Sequence, residues 1–244
     1  MCNPASFAIT KTGRVLWSKK TDSHSEIIAE HKLREDRRGS SGEPSDTLFV
    51  KVEINPPKME NRQFNFAAPL SKWQYVLDED RAPEWYDAKK VERVARLALK
   101  EWAKSKIHLR GHRVIEDGQT VFICGGTAEV KGGKVVMMYG GTISEVSGGT
   151  ISEVIGGTIS EVSGGTISAV WGGTISAVRG GTISAVRGGT ISAVRGGTIS
   201  AVWGGIAAKH SINANVVMPP DSAGIVVDYT TTPPSIYGNH KDGK

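Results

Sequence analysis

Residues 140–171 read GGTISEVS GGTISEVI GGTISEVS GGTISAVW, and residues 172–203 read GGTISAVR GGTISAVR GGTISAVR GGTISAVW. Isoleucine recurs at the same place in every octad from Ile143 to Ile199 without a slip in register. A period of eight is not helical, and a glycine pair in each repeat would destabilise a helix. Thr-Ile-Ser-x-Val is typical of a short β-branched strand, and Gly-Gly of a sharp turn. Because one such strand buries almost nothing, the repeats must stack about 4.8 Å apart, which predicts a β-solenoid.

The composition changes near residue 108, where a segment rich in Trp, Lys and Glu gives way to one rich in Gly, Thr, Ser, Ile and Val. Degenerate copies of the octad begin at Gly118, Gly125 and Gly132. The predicted fold is an α+β N-terminal domain followed by an all-β triangular β-helix, that is, a β-solenoid of octad repeats. We expect a small α+β domain over residues 1–108, a β-helix over 109–230 with regular octads at 140–205, and a flexible tail over 231–244.

Written from its valine, each octad begins Val-x-Gly-Gly, as in residues 146–149. It resembles the octad V-x-G-x-x-x-x-x of the triple-stranded β-helix in the cell-puncturing needles of contractile-tail phages, and the V-G-G-rich spike of type VI secretion proteins. The resemblance covers residues 118–205. It implies a rigid homotrimer in which three chains wind around one another, and a virion as the destination. No lysozyme-like or spike-base domain is recognisable upstream, so the enzymatic activity of those families is not implied.

The stacking of the octads has two alternatives, both with three octads per turn. In a single-chain solenoid, Trp171 would stack on Arg195 and Arg179 on Trp203, which are favourable cation–π pairs. In a trimer, Arg179, Arg187 and Arg195 would pile up at successive levels, where like charges on adjacent strands are mildly destabilising. Charge therefore favours one chain, whereas the resemblance and the short array favour three. Alternation along the strand leaves open which face is buried.

The chain has 244 residues and a net charge of +5. Residues 1–110 hold 21 basic and 16 acidic residues, whereas residues 111–244 hold nine of each. No apolar stretch approaches the roughly 18 residues of a membrane span, and Met1 is not followed by a secretory leader, so we expect synthesis in the cytoplasm and no membrane span. With two cysteines, Cys2 and Cys124, the chain is not a disulfide scaffold.

The N-terminal half predicts strands at residues 7–10, 15–18, 48–54 and 74–77, a short helix after Ser23, and a long amphipathic helix over 88–106. Basic residues line one face of the long helix, namely Lys89, Arg93, Arg96, Lys100 and Lys104. This face is either an ordinary solvated surface or a stripe that docks on an anionic or acidic partner.

Few residues indicate chemistry. Removal of Met1 would expose Cys2, whose α-amine could activate its thiol as a nucleophile, with His24 or His31 assisting and Asp22 orienting a histidine. The Met-Cys opening resembles amidases and amidotransferases that use such a residue.

No metal site and no cofactor are predicted. His108 and His112 have helical i, i+4 spacing, but Gly111 between them weakens a helix there. The many Gly-Gly pairs lack the Gly-Lys-Ser/Thr ending of a phosphate-binding loop. Rows of Thr-x-Ser, such as Thr174 and Ser176, are a weaker indication of an ice- or glycan-binding surface.

The leading hypothesis is a structural or attachment protein, associated with a phage, in which a rigid β-helix carries the small α+β domain. The octad side chains Trp171, Arg179, Arg187, Arg195 and Trp203 and the basic helix are its candidate binding residues. The alternative is an acyl-transfer enzyme, an amidase or peptidase, that uses Cys2 and His24 and is presented on the β-helical scaffold.

Overall fold

A computed structural model describes residues 4–33, 48–59 and 64–238. The chain separates into two compact units, Met1–Lys106 and Ile107–Lys244. The division falls close to the composition change at residue 108.

The described residues of the first unit form an antiparallel four-stranded sheet and two helices. The strand order is β2-β1-β3-β4. The elements are β1 (Ser6–Thr10), β2 (Val15–Leu16), α1 (His24–Glu30), β3 (Phe49–Asn55), a short 3-10 helix (Leu70–Lys72), β4 (Gln74–Leu77) and α2 (Ala88–Lys106). The predicted α+β class of this half is therefore confirmed.

Helix α2 contributes an apolar face to the core of the first unit. Val91, Ala95, Leu99 and Trp102 are buried along it, spaced three or four positions apart as the helical period requires. The indole of Trp102 packs edge-on against that of Trp73, with the ring centroids 6.0 Å apart.

The described residues of the second unit form two sheets, which we call the odd sheet and the even sheet. The odd sheet contains β5 (Ile107–His108), β7 (Thr120–Ile123), β9 (Lys134–Met138), β11 (Thr150–Val154), β13 (Thr166–Val170), β15 (Thr182–Val186), β17 (Thr198–Ile199) and β19 (Asn215–Val216). The even sheet contains β6 (His112–Ile115), β8 (Thr127–Val130), β10 (Thr142–Val146), β12 (Thr158–Val162), β14 (Thr174–Val178), β16 (Thr190–Val194), β18 (Ile206–Lys209) and β20 (Ile225–Asp228). These strands alternate between the sheets in chain order, and within each sheet they run parallel. The predicted β-solenoid is confirmed, and it has about eight turns.

The solenoid has two sides per turn, which corrects the predicted triangular cross-section and its coil of three octads. Thr142 pairs with Thr158 in the even sheet, and Thr150 pairs with Thr166 in the odd sheet, so each turn takes two octads. Both partners of every pair lie in the same chain. Two facing sheets suffice because each octad points its strand isoleucine and valine inward, and the two sets of side chains fill the space between the sheets.

The inward residues are the isoleucine and the valine of every octad, which resolves the face that the sequence left open. Ile175 and Val178, for example, are both fully buried. Two inward residues three positions apart require one break in the alternation of a strand. The break lies at the serine: the ladder between β12 and β14 pairs Ile159 with Ile175 and then Glu161 with Ala177, and skips the serine between them.

Each corner of the regular octads contains the glycine pair. The second glycine has a positive φ, as at Gly173 with φ 78°, a conformation that residues with a Cβ rarely adopt. The first glycine lies against the coil below: a Cβ built on Gly172 would lie 2.5 Å from the carbonyl oxygen of Ile155. The glycine pairs are therefore explained both by the turn and by the close contact between successive coils.

Part of the segment predicted as a flexible tail is ordered into strand. β21 (Ser235–Gly238) pairs antiparallel with β20 at the end of the even sheet. Among the described residues, neither helix has both the length and the apolar character needed to cross a bilayer.

Candidate functional site

The corners that follow β9, β11, β13, β15 and β17 of the odd sheet carry a column of large side chains, which we call the aromatic edge. It consists of Tyr139, Ile155, Trp171, Arg187 and Trp203. Each of their backbone N–H groups donates to the last carbonyl of the odd-sheet strand one coil below, as Trp171 does to Val154 at 2.8 Å. The five side chains therefore lie one coil apart, about 4.8 Å. Trp171 is 50% exposed and Trp203 is 44% exposed.

Arg187 is positioned between the two tryptophans of the aromatic edge. Its guanidinium carbon lies 4.9 Å from the centroid of the Trp171 ring, within the range of a cation–π contact. This pairing corrects the predicted stacks of Trp171 on Arg195 and of Arg179 on Trp203. Those pairs assumed three octads per turn, whereas a turn of two octads places position 187 over position 171.

The corners after the even-sheet strands carry a more polar column, which we call the polar edge. It contains Ser147, Ser163, Arg179 and Arg195. Arg179 Nε lies 3.1 Å from Glu161 Oε2, and Ser163 donates to Glu145 Oε1 at 2.8 Å. The three arginines therefore do not form one pile: Arg179 and Arg195 share the polar edge, while Arg187 lies on the aromatic edge.

Four of the five basic residues predicted on the long helix are exposed, namely Lys89, Arg93, Lys100 and Lys104. Arg96 differs because it is half-buried and engaged within the unit. Its Nε donates to Glu92 Oε1 at 2.7 Å, and its guanidinium also donates to the carbonyl of Trp73 at 3.1 Å. The exposed members are available to a partner, and Arg96 holds α2 on its own unit.

Of the predicted catalytic pair, Cys2 lies outside the described residues. His24 is buried at the start of α1, with Nε2 3.2 Å from the carbonyl oxygen of Val52 and Nδ1 3.0 Å from Asp78 Oδ2. The acyl-transfer hypothesis stays a prediction, and an intact mass that retains Met1 would exclude it.

Asp22 does not orient a histidine; it contacts Lys106 and Trp102. Lys106, fully buried, donates from Nζ to Asp22 Oδ2 and to the Thr21 carbonyl, both at 3.0 Å, while Trp102 Nε1 donates to Asp22 Oδ1 at 2.8 Å. Burial lowers the pKa of Lys106, and the neighbouring Asp22 carboxylate partly opposes that shift. This buried ion pair was not predicted, because one member precedes α1 and the other ends α2, far away in the sequence.

Two further carboxylates, which no sequence motif singles out, lie beside His24. Glu53, on β3, is buried, and Asp78 directly follows β4. Potential ligand atoms of His24, Glu53 and Asp78 all lie within 4.8 Å of one another. No local sequence signal joins them, since each belongs to a different element.

The histidines with helical spacing lie on strands rather than on a helix. His108 Nε2 contacts the carbonyl oxygen of Thr127 at 2.8 Å, and His112 Nδ1 contacts the Thr127 hydroxyl at 3.2 Å. Cys124 lies near them along the chain as a half-buried thiol, and burial raises its pKa to about 11. Such a thiol is protonated at neutral pH and unreactive.

The outer positions of the octad carry the hydroxyl rows. Ser176 is exposed and Thr174 is half-buried, and Thr and Ser repeat at the same positions in every regular octad between Thr142 and Ser200. Neither the corners nor these rows contain a group of three potential metal ligands among the described residues. Comparison with protein-family models, with curated proteins and with solved structures finds no match for this chain.

Proposed function

We propose that this chain is a structural or attachment protein in which the β-solenoid presents the aromatic edge to a partner. The observation that carries the proposal is the pair of half-exposed tryptophans, Trp171 and Trp203, on either side of Arg187. Tryptophan and arginine are the residue types that contribute most to binding at protein interfaces. Their presence at a column of corners that otherwise needs no large side chain supports a binding role.

The backbone of the aromatic edge is suited to attachment because it is held rigidly. Each of its five corners is hydrogen-bonded to the coil below, and the core beneath them is a continuous stack of fully buried side chains, mostly isoleucines and valines. Little conformational entropy is therefore lost when a partner binds this surface, which favours affinity.

Association with a phage particle is part of the same proposal, and its support is the resemblance of the octad to needle and spike repeats. The homotrimer rests on the same resemblance. Because the Ile and Val rows are buried within one chain, three chains would associate through outer surfaces such as the sheet faces or the edges. A trimer of this kind could dissociate without exposing the core.

Phage particles that carry the gene provide the test. Purified particles should contain the chain in a fixed ratio to the other structural proteins. Particles with both Trp171→Ala and Trp203→Ala should assemble normally but adsorb to host cells at least about tenfold less, since a tryptophan hot spot contributes about 2 kcal/mol or more.

The matched control is the double variant Ser147→Ala and Ser163→Ala, which alters two coils of the polar edge and should adsorb as the wild type does. Equal adsorption of the two double variants would refute attachment through the aromatic edge. Absence of the chain from purified particles would refute the structural role in the phage.

A further inference from the structure

Three elements of the first unit bring together a histidine and two carboxylates at one place. His24 begins α1, Glu53 lies on β3, and Asp78 follows β4. His24 is 4% exposed and Glu53 is 6% exposed, whereas the Asp78 side chain is 51% exposed. The cluster therefore has a buried wall and one side open to solvent.

The ring of His24 is oriented so that Nδ1 is its free nitrogen. Nε2 lies 3.2 Å from the carbonyl oxygen of Val52, and a carbonyl can only accept, so Nε2 carries the proton. In the neutral ring Nδ1 then carries a lone pair. Donation of one ring N–H to a backbone carbonyl while the other nitrogen faces an ion is the arrangement typical of metal-bound histidines.

The contact between His24 and Asp78 lacks the geometry of a hydrogen bond. Nδ1 lies 3.0 Å from Asp78 Oδ2, yet Nδ1 is a buried atom without a hydrogen-bond partner among the described residues. Two ligands that bind one ion at about 2.1 Å are about 3 Å apart when they subtend the right angle of octahedral coordination, with the oxygen off the line of an N–H bond. The observed separation fits a shared cation.

The charge of the cluster also favours a cation. Glu53 is buried, and its Oε2 accepts a hydrogen bond from Asn55 Nδ2 at 3.3 Å. A second carboxylate, Asp78, lies within a few ångströms. Two carboxylates this close repel each other, the more so because one is out of water, and a divalent cation between them would turn that repulsion into attraction.

We propose that His24, Glu53 and Asp78 bind one divalent first-row metal ion of the Zn²⁺ or Mn²⁺ class, with the remaining coordination positions facing solvent. One imidazole nitrogen and two carboxylate oxygens are a mixed donor set that such ions accept. The ion ties the start of α1 to the edge formed by β3 and β4. This site is independent of the aromatic edge and of the Cys2 hypothesis.

The full-length chain is first treated with EDTA and dialysed to remove bound metal. It is then titrated with Mn²⁺ while free Mn²⁺ is measured by electron paramagnetic resonance. A separate titration with Zn²⁺ is followed by isothermal calorimetry. We expect one ion per chain at this site. Asp78→Asn should weaken the affinity at least about tenfold, because even outer-shell changes at metal sites cost about 10- to 100-fold. The control is Asp80→Asn, which removes an exposed carboxylate two positions away and should bind as the wild type does.

A second measurement does not depend on a variant. Bound Mn²⁺ should broaden the ring-proton resonances of His24 while leaving those of His31, at the far end of α1, much sharper. Equal affinities of Asp78→Asn and Asp80→Asn would overturn the proposal, and so would a failure of the wild type to bind either ion. In that case the three side chains form a polar contact that holds α1 on the sheet, and no ion-binding site.

Discussion

The clearance between successive coils leads to a graded prediction for the first glycine of each corner. Along the aromatic edge, a Cβ on Gly140 would lie 3.4 Å from the nearest carbonyl oxygen, one on Gly156 2.8 Å, and one on Gly172 2.5 Å. None of the three has a positive φ, so alanine is compatible with the backbone at each position. The three substitutions therefore differ in the space available and not in backbone strain.

At Gly172 the distance between the added methyl group and the Ile155 carbonyl oxygen is 2.5 Å, and it must increase by about 0.9 Å to reach an ordinary contact of 3.4 Å. That shift lengthens the bonds that Trp171 and Gly172 donate to the Val154 carbonyl, now 2.8 and 3.3 Å. Overpacking costs about 1–3 kcal/mol, and a weakened hydrogen bond about 1 kcal/mol. Together these costs predict that Gly172→Ala lowers the free energy of unfolding by about 2–4 kcal/mol.

At Gly140 the same substitution meets an acceptable contact, and alanine reduces the entropy of the unfolded chain by an equivalent of about 0.4–1 kcal/mol. Gly140→Ala should therefore be neutral or slightly stabilising, and Gly156→Ala intermediate. Urea denaturation followed by far-UV circular dichroism measures all three free energies. Equal losses at the three positions would refute the explanation by clearance, because the intrinsic propensity of alanine is common to all of them.

Three further predictions concern the core, the buried ion pair and the assembly. Ile175→Asp should cost several kcal/mol in a thermal melt because it places an unpaired charge among fully buried side chains, whereas Thr174→Val, on the outer row, should change stability by no more than about 0.5 kcal/mol. Asp22→Ala should lower the free energy of unfolding of the first unit by about 3–5 kcal/mol, because it leaves the Lys106 ammonium buried without its carboxylate. A decrease in that free energy of less than about 1 kcal/mol would contradict the reasoning. Light scattering distinguishes a 26.0 kDa monomer from a trimer three times as heavy. In either state we expect the solenoid to stay folded on dilution, because its strands pair within one chain. Loss of β-structure together with dissociation would refute this expectation.

The octads predicted the type of fold because they combine two requirements that few structures share. A β-branched strand in every octad needs a neighbour at the same spacing, and a Gly-Gly pair needs a sharp corner. Strict alternation along Thr-Ile-Ser-x-Val would place Ile and Val on opposite faces of the strand, whereas the structure buries both. A single serine outside the ladder, as between Ile175 and Ala177, lets the isoleucine and the valine of the strand both point inward. Nothing in the composition of such a short strand predicts this break.

The candidate metal ligands were beyond prediction for a different reason. Glu53 and Asp78 are ordinary acidic residues at the sequence level. Glu53 lies within β3, and Asp78 directly follows the short strand β4. They become a site only because β3 and β4 are adjacent, which places Val52 opposite Leu77 and so brings the two carboxylates close together. Pairing of strands that are distant in the sequence is a tertiary property, so the sequence identified His24 but not its neighbours.

The number of sides of the solenoid, by contrast, was available in the sequence. Turns of two octads and of three octads both keep the repeat in phase, so the isoleucine and valine rows cannot distinguish two sides from three. The variable position before each glycine pair does distinguish a turn of two octads from a turn of three. Taken in alternate octads, it sorts into Ser147, Ser163, Arg179 and Arg195 on one column and Ile155, Trp171, Arg187 and Trp203 on the other. A turn of three octads would instead mix serine, tryptophan and arginine within its columns. The two edges of a two-sided coil have different neighbours. Only a turn of two octads therefore lets one edge be polar and the other aromatic. The structure contains these two distinct edges.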